Sequence, residues 1–298
     1  MKQSEQKSRL ALITAMLLFG TIGIFRKMIP LSSSMLAMLR GYIGATFLVL
    51  FVLLTGKKFS WRTIKANLVL LVISGIFIGF NWILLFEAYQ YTTVAVATLC
   101  YYMAPVFVII ASPLIFGEKI TIKKGICVTV ALLGMILVSG VLGSGEEGSD
   151  DFRGILLGLG AAVLYASVVV MNKKIKDIAA YDKTAVQLGI AAIAITPYLF
   201  LAEEISTVSL TPFTVGMVLF VGVVHTGISY VLYFGSMKRL KAQTVALLSY
   251  IDPVVAIILS ALLLRERMGI LQAIGAVLVL CGTIVSELPD GEKRLEKV

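Results

Sequence analysis

Ten apolar runs follow one another through this chain, at 10–27, 35–54, 68–88, 94–116, 122–142, 155–171, 185–202, 213–237, 242–264 and 270–285. A hydrocarbon core of about 30 Å is crossed by about 20 apolar residues in an α-helix. Within that core every backbone N–H and C=O must be paired inside the segment or in a closed barrel. Runs of this length predict helices. The expected fold is an all-α integral membrane protein with ten transmembrane helices. The connections are short, so consecutive helices are expected to be antiparallel neighbours. Only 14% of residues are charged, against about 25% in a soluble domain. No A-x-A-like cleavage site follows the first run, which is therefore expected to stay as a helix.

The net charge of +9 would suit a nucleic-acid partner, but the placement of the cations gives a different reason for it. With ten spans both termini share one side. Of the 26 Lys and Arg residues, 20 fall there, among them Lys2, Lys7 and Arg9, Lys57 to Lys65, Lys119 to Lys124, and Lys173 to Lys183. Arg26, Lys27, Arg153, Arg265 and Arg267 fall on the other side, and Arg40 lies within a helix. By the positive-inside rule both termini are cytoplasmic, and the acidic loop 143–151 is external. The charge reports topology, and no nucleic acid is needed. The bilayer expected is a cell membrane, the inner membrane of a bacterium.

The stretch 247–267 has an echo at 99–119, displaced by 148 positions. Tyr102 falls on Tyr250, Pro105 on Pro253, Ser112 on Ser260 and Glu118 on Glu266. The same shift carries Gly79 onto Gly227, Phe86 onto Phe234 and Gly134 onto Gly282. The front of each half matches more weakly, with Phe19-Gly20-Thr21 against Tyr165-Ala166-Ser167 and Arg26-Lys27 against Asn172-Lys173. The copies lie five spans apart, an odd number, so they cross the membrane in opposite directions. The expectation is a 5+5 inverted repeat: a first unit over 1–145, a second over 152–288 and a cytoplasmic tail over 289–298. Such repeats place a small-molecule site near the bilayer midplane and alternate its access. A membrane enzyme or a scaffold needs no such symmetry. One chain holds both halves, so a monomer suffices, and a dimer is compatible with it.

Polar side chains inside hydrocarbon are costly and are read here as candidates. Asp252 lies near mid-depth, where an ionised Asp costs about 2.5–3.5 kcal/mol on insertion scales. It is either a proton or ammonium site or a carboxyl bonded between helices. His225, the single histidine, lies at similar depth, with Ser229 one α-helical turn beyond it. It is either a coupling or substrate residue or a neutral inter-helix bond. Asn81 and Trp82 align with Ser229 and Tyr230 at the same shift. With Tyr101, Tyr102 and Tyr250 they can line an aromatic pocket for an apolar, aromatic or cationic substrate, or they pack as core. Arg40 either snorkels outward or pairs with a substrate carboxylate, and Glu87 is its candidate partner. Pro105 and Pro253 each free a carbonyl four residues back, that of Tyr101 and that of Ser249. They are hinges, ligand contacts or purely structural kinks. Glu118 and Glu266 are expected in local ion pairs. Gly75-xxx-Gly79 and Gly154-xxx-Gly158 are expected as packing faces. Cys100, Cys127 and Cys281 sit in separate runs without CxxC spacing, so no metal site and no cofactor is expected.

The residues carry a resemblance. In the first half these are Phe86-Glu87-Ala88-Tyr89, Tyr91-Thr92-Thr93-Val94-Ala95, Pro105-Val106-Phe107 and Gly117-Glu118-Lys119. In the second half they are Ser249-Tyr250-Ile251-Asp252-Pro253-Val254 and Arg265-Glu266-Arg267, followed by Gly275 and Gly282. Together they resemble the EamA type of the drug/metabolite transporter superfamily, over essentially the whole chain. The resemblance implies the ten-helix fold and secondary transport, and leaves the substrate open. Members export amino acids, including aromatic ones, or other metabolites and drugs, and some relatives import choline or sugars. The leading expectation is export of amino acids or small amphipathic metabolites by alternating access. Proton-coupled extrusion of organic cations or drugs is the alternative. A membrane enzyme is the remaining class, but no HExxH, GxSxG or CxxC motif is present. The first copy has Gly117-Glu118 where the second has Arg265-Glu266, so two gates built on them need not be equivalent.

Overall fold

A computed structural model of the chain describes residues 2–56, 58–117, 120–138, 149–202, 211–237, 239–240, 245 and 248–288. Glu118, Lys119, most of the acidic loop 143–151 and the tail 289–298 lie outside these. Among the described residues the structure is helical throughout, with no strand. Seven segments are long and apolar enough to cross a membrane: Glu5–Met28, Ser33–Leu54, Leu68–Tyr91, Val94–Ile115, Asp151–Lys174, Ala180–Leu201 and Pro212–Ser236. The other three apolar runs form shorter described helices, Ile122–Val138 (α8), Ile251–Leu263 (α13) and Ile270–Glu287 (α14). The fifth and ninth runs also extend into residues outside the described set.

Several crossings are built from pieces. The first is Lys2–Gly20 (α1) and Ile22–Met28 (α2), parted at Thr21. The fourth is Val94–Tyr101 (α6) and Ala104–Phe116 (α7), parted at Tyr102 and Met103. Pro105 stands in the first turn of α7, where its missing N–H leaves no bond unmade. Pro105 and Pro253 therefore do not kink continuous helices. Each stands at the start of a new one: Tyr250 is the N-cap of α13, and Pro253 is that helix's third residue. Uninterrupted helices are Ser33–Leu54 (α3), Leu68–Tyr91 (α5), Ser149–Lys174 (α9) and Ala180–Ala202 (α10). Short α4, Trp61–Ala66, precedes α5. The eighth crossing is Pro212–Phe220 (α11), a π-helical segment Val221–Ile228, and Ser229–Met237 (α12). Helix α9 begins at Ser149, inside the stretch expected as loop, and Asp151 in its first turn suits the positive end of the helix dipole.

Small residues set the tightest packing. A Cβ on Gly134 would stand 2.8 Å from the Gly275 carbonyl oxygen, and one on Gly275 would stand 2.5 Å from that of Gly134, so α8 and α14 touch backbone to backbone. Two turns away, a Cβ on Gly282 would stand 2.9 Å from the Cys127 carbonyl oxygen. The 148-residue shift converts one of these contacts into the other, since it carries Cys127 onto Gly275 and Gly134 onto Gly282. Gly79 against Ile195 of α10 and Gly227 against Phe47 of α3 are related in the same way. Gly75 faces Ile190 and Gly154 faces Thr92, while Gly158 faces Cys100, so both small-residue pairs lie in helix contacts.

Polar bonds tie the connections at each end. On one face Ser60 N–H donates to Asp182 at 3.4 Å, Asn67 to the Lys176 carbonyl at 3.1 Å, and Lys123 to the Leu288 carbonyl at 2.6 Å. On the other, Lys27 lies 3.7 Å from Glu266 and donates to the Thr92 carbonyl at 3.4 Å. The largest apolar core joins α3, α5 and α10 through Leu36, Leu48, Phe86, Leu188 and Ile195.

Candidate functional site

Helix α3 carries Arg40 into the protein rather than out to the membrane surface, and its residue is 6% exposed. The guanidinium lies 4.3 Å above the Trp82 ring and 5.5 Å from that of Phe86, both on α5. Its Nε donates to Thr226 Oγ1 at 2.7 Å. Among the described residues no carboxylate lies within ion-pair range of it. Glu87 bonds elsewhere: it accepts from Ser33 at 2.5 Å, and Ser33 accepts from Arg26 at 3.0 Å. Ser33 opens α3 two turns before Arg40, roughly 10 Å along the axis. Glu87 therefore serves the end of the helix and leaves the buried cation to aromatic faces and one hydroxyl. A desolvated guanidinium over an indole gains about 2 kcal/mol from the ring, which does not replace an anion.

Asp252 sits in the first turn of α13, and Tyr102, at the break before α7, donates to its Oδ2 at 2.8 Å. The same hydroxyl lies 3.4 Å from the Ser249 carbonyl that Pro253 leaves free. The rings of Tyr102 and Tyr250 stand 6.0 Å apart, those of Tyr101 and Tyr102 6.1 Å, and those of Tyr101 and Tyr165 5.3 Å. Tyr101 packs against the core cluster that contains Trp82 and Phe86, the two rings that face Arg40. The two helix breaks thus bring Tyr101, Tyr102, Tyr250 and Asp252 together. Among the described residues Asp252 has no cationic partner.

His225 lies in the π-helical segment and is fully buried. Its Nε2 is 2.7 Å from Thr21 Oγ1, at the break between α1 and α2. Its Nδ1 is buried without a partner among the described residues, and the rings of Phe25 and Phe220 meet it edge-on at 4.7 and 5.5 Å. The wider π turn changes which residues share a face. Ser229 Oγ reaches back five residues to the Val224 carbonyl at 2.8 Å, and Thr226 takes the position facing Arg40. Asn81 is likewise turned to backbone, donating to the Ala161 carbonyl at 2.5 Å. Tyr230 packs against Phe19 at 5.5 Å and Phe234 at 5.8 Å. His225 does not touch Asp252. Helix α1 lies against both, because Thr21 follows Gly20, where a Cβ would stand 2.7 Å from the Asp252 carbonyl oxygen.

Sequence reasoning did not single out Thr21, Thr226 or Tyr165 as site residues. Tyr165 carried a signal, since the weak front repeat lays it on Phe19, and both rings border the central aromatics. Thr226 carried none, because nothing in the residues announces a π-helical segment. At the far end Glu266 accepts from the Val94 N–H at 2.8 Å and from Ser260, so it caps α6 as well as pairing with Lys27.

The comparisons bear on this arrangement as a whole. The transporter YxxF of Bacillus subtilis (strain 168), named as uncharacterised, is 29% identical over 281 residues, covering 94% of this chain and 89% of its own length. Another uncharacterised transporter of that strain, YwfM, is 26% identical and covers 96% of each chain. A protein of Escherichia coli (strain K12) named a probable amino-acid metabolite efflux pump is 28% identical over 190 residues, 60% of this chain and 62% of its own. A solved crystal structure shares the fold at a TM-score of 0.64 and 21% identity, over 94% of this chain and 96% of that one. The EamA-like transporter family model matches twice, at residues 6–140 and again at 152–288. With its membrane-length helices and a match across nearly its whole length, the chain is a multi-pass membrane protein that belongs to the EamA-like transporter family.

Proposed function

We propose that this transporter exports amino acids or small amphipathic metabolites across a bacterial cell membrane by alternating access, from a site holding opposite charges at its two ends. The observation that carries this reading is the couple unpaired among the described residues: buried Arg40 with no carboxylate partner there, and Asp252 held there by a tyrosine hydroxyl alone. An α-amino acid brings the two missing partners, its carboxylate for Arg40 and its ammonium for Asp252. Trp82, Tyr101, Tyr102 and Tyr250 supply faces for an apolar side chain. Pairing both charges at once offsets the desolvation that each bears alone. The ten-helix inverted repeat is part of the proposal. Its support is the 148-residue shift and the way that shift relates the Gly134–Gly275 and Gly282–Cys127 contacts. The Escherichia coli relative, named a probable amino-acid metabolite efflux pump, agrees with efflux. A monomer is sufficient for this cycle.

Extrusion of organic cations in exchange for protons is the second reading, favoured by Asp252 having no cation beside it among the described residues. A ligand-induced thermal-shift screen of amino acids, amines and sugars tests the two. Amino acids should stabilise the wild type, and Arg40→Gln should remove that shift while leaving the protein folded. Stabilisation by amines alone, unchanged in Arg40→Gln, would select the second reading and reject the first.

A further inference from the structure

A cavity of about 250 Å3 lies off the central cluster, between α7 and α9. Pro105, Val108, Ile109 and Ser112 line it from α7, a spacing that puts all four on one helix face. Tyr165 and Val169, one turn apart on α9, line it from the other side. Its inner end adjoins the site, because the Tyr165 ring is 5.3 Å from that of Tyr101. Its other end is bordered by Lys124, in the first turn of α8 and on the side of the Lys123–Leu288 bond. Among the described residues no carboxylate pairs with Lys124.

The repeat sharpens the meaning of this space. The 148-residue shift carries the α7 face onto Pro253, Ala256, Ile257 and Ser260 of α13. There α1 closes in, with Gly20 leaving no room for a Cβ beside Asp252 and Val255. Ser260 donates to Glu266, which holds both Lys27 and the start of α6. Helix α1 packs closely against one groove at Gly20, and the counterpart groove holds the cavity.

We propose that the α7–α9 cavity is a cytoplasmic vestibule for a carboxylate-bearing amphipath, whose carboxylate Lys124 draws in and whose apolar body packs on Tyr165. The proposal rests on the export reading and adds a second contact site to it. Charge complementarity and continuity with the central aromatics argue for this occupant over a lipid chain.

The test places a cysteine at Ser112 or Val169 in a protein whose three native cysteines are replaced. A membrane-impermeant methanethiosulfonate is applied to right-side-out cells and to inside-out vesicles, with and without L-phenylalanine. Leu114→Cys is the control, since Leu114 is 91% exposed on the lipid-facing side of the same helix. Both vestibule cysteines should react from the cytoplasmic face only, and L-phenylalanine should slow them severalfold. Reaction from outside, reaction no faster than at Leu114→Cys, or no protection would each overturn the vestibule. In flux assays Lys124→Gln should raise the half-saturating cytoplasmic L-phenylalanine concentration roughly fivefold, the upper range for an exposed ion pair, and leave phenethylamine competition unchanged. Equal shifts for both compounds, or none, would remove Lys124 from the proposal. If the wild type carries no amino acid, the export reading fails, while the labelling pattern still decides whether the path exists.

Discussion

Asp252 and Arg40 are the residues on which the proposed chemistry turns, and they differ in what holds them. Arg40 has two aromatic faces and a hydroxyl; Asp252 has one tyrosine hydroxyl. Asp252→Asn keeps the shape and still accepts from Tyr102, and an amide is cheaper to bury than a carboxylate. The variant should fold and insert as the wild type does. Its substrate affinity should fall by about tenfold or more, the scale of one lost buried charge partner, or any pH dependence of transport should vanish. Flux into liposomes across a pH series checks this. A wild-type rate, affinity and pH profile in Asp252→Asn would make it a structural hydrogen-bonding residue. Much at this scale was legible in the sequence, because a charged or aromatic side chain at mid-depth stands out against an apolar run. Orientation was not legible. Asn81 and Ser229 are polar at the right depth but spend their hydrogen bonds on the Ala161 and Val224 carbonyls. Glu87 matches Arg40 in charge but bonds Ser33. Each choice depends on a neighbour distant in sequence.

At the scale of the element, the two crossings interrupted before a proline matter most. Both break beside a tyrosine, at Tyr102 and at Tyr250, and each proline starts the next helix. A broken crossing leaves backbone groups at mid-depth, tolerated where they face a cavity or a polar partner. Here the Ser249 carbonyl meets Tyr102. Because Pro105 and Pro253 stand in first turns, replacing either by alanine forces no side chain into a neighbour. Thermal stability should move by a few degrees at most for a change of about 1 kcal/mol, while turnover should change severalfold if the breaks act as hinges. Paired melting and flux measurements on Pro105→Ala and Pro253→Ala decide this, and unchanged flux in both would leave the prolines structural. Helix positions followed from apolar run length to within a few residues at most ends. The π-helical segment Val221–Ile228 did not, because a face drawn at 3.6 residues per turn puts Ser229 beside His225, whereas the wider turn pairs Ser229 with Val224.

For the whole molecule, the cation count predicts cytoplasmic termini. Contacts of Ser60 with Asp182 and of Asn67 with Lys176 gather connections assigned to one side. A cysteine at Ser149 should be labelled from outside and one at Ser60 only from inside, and the reverse would invert the orientation while leaving the site intact. The central claim is that Arg40 and Asp252 read the two ends of one zwitterion. It is tested most directly by flux in proteoliposomes, comparing L-phenylalanine with its two half-charged relatives, phenethylamine and 3-phenylpropionate. The account predicts that L-phenylalanine is carried, that each relative competes at least tenfold more weakly, and that Arg40→Gln and Asp252→Asn each abolish the preference for the zwitterion. Phenethylamine carried as well as L-phenylalanine, with Arg40→Gln without effect, would contradict it.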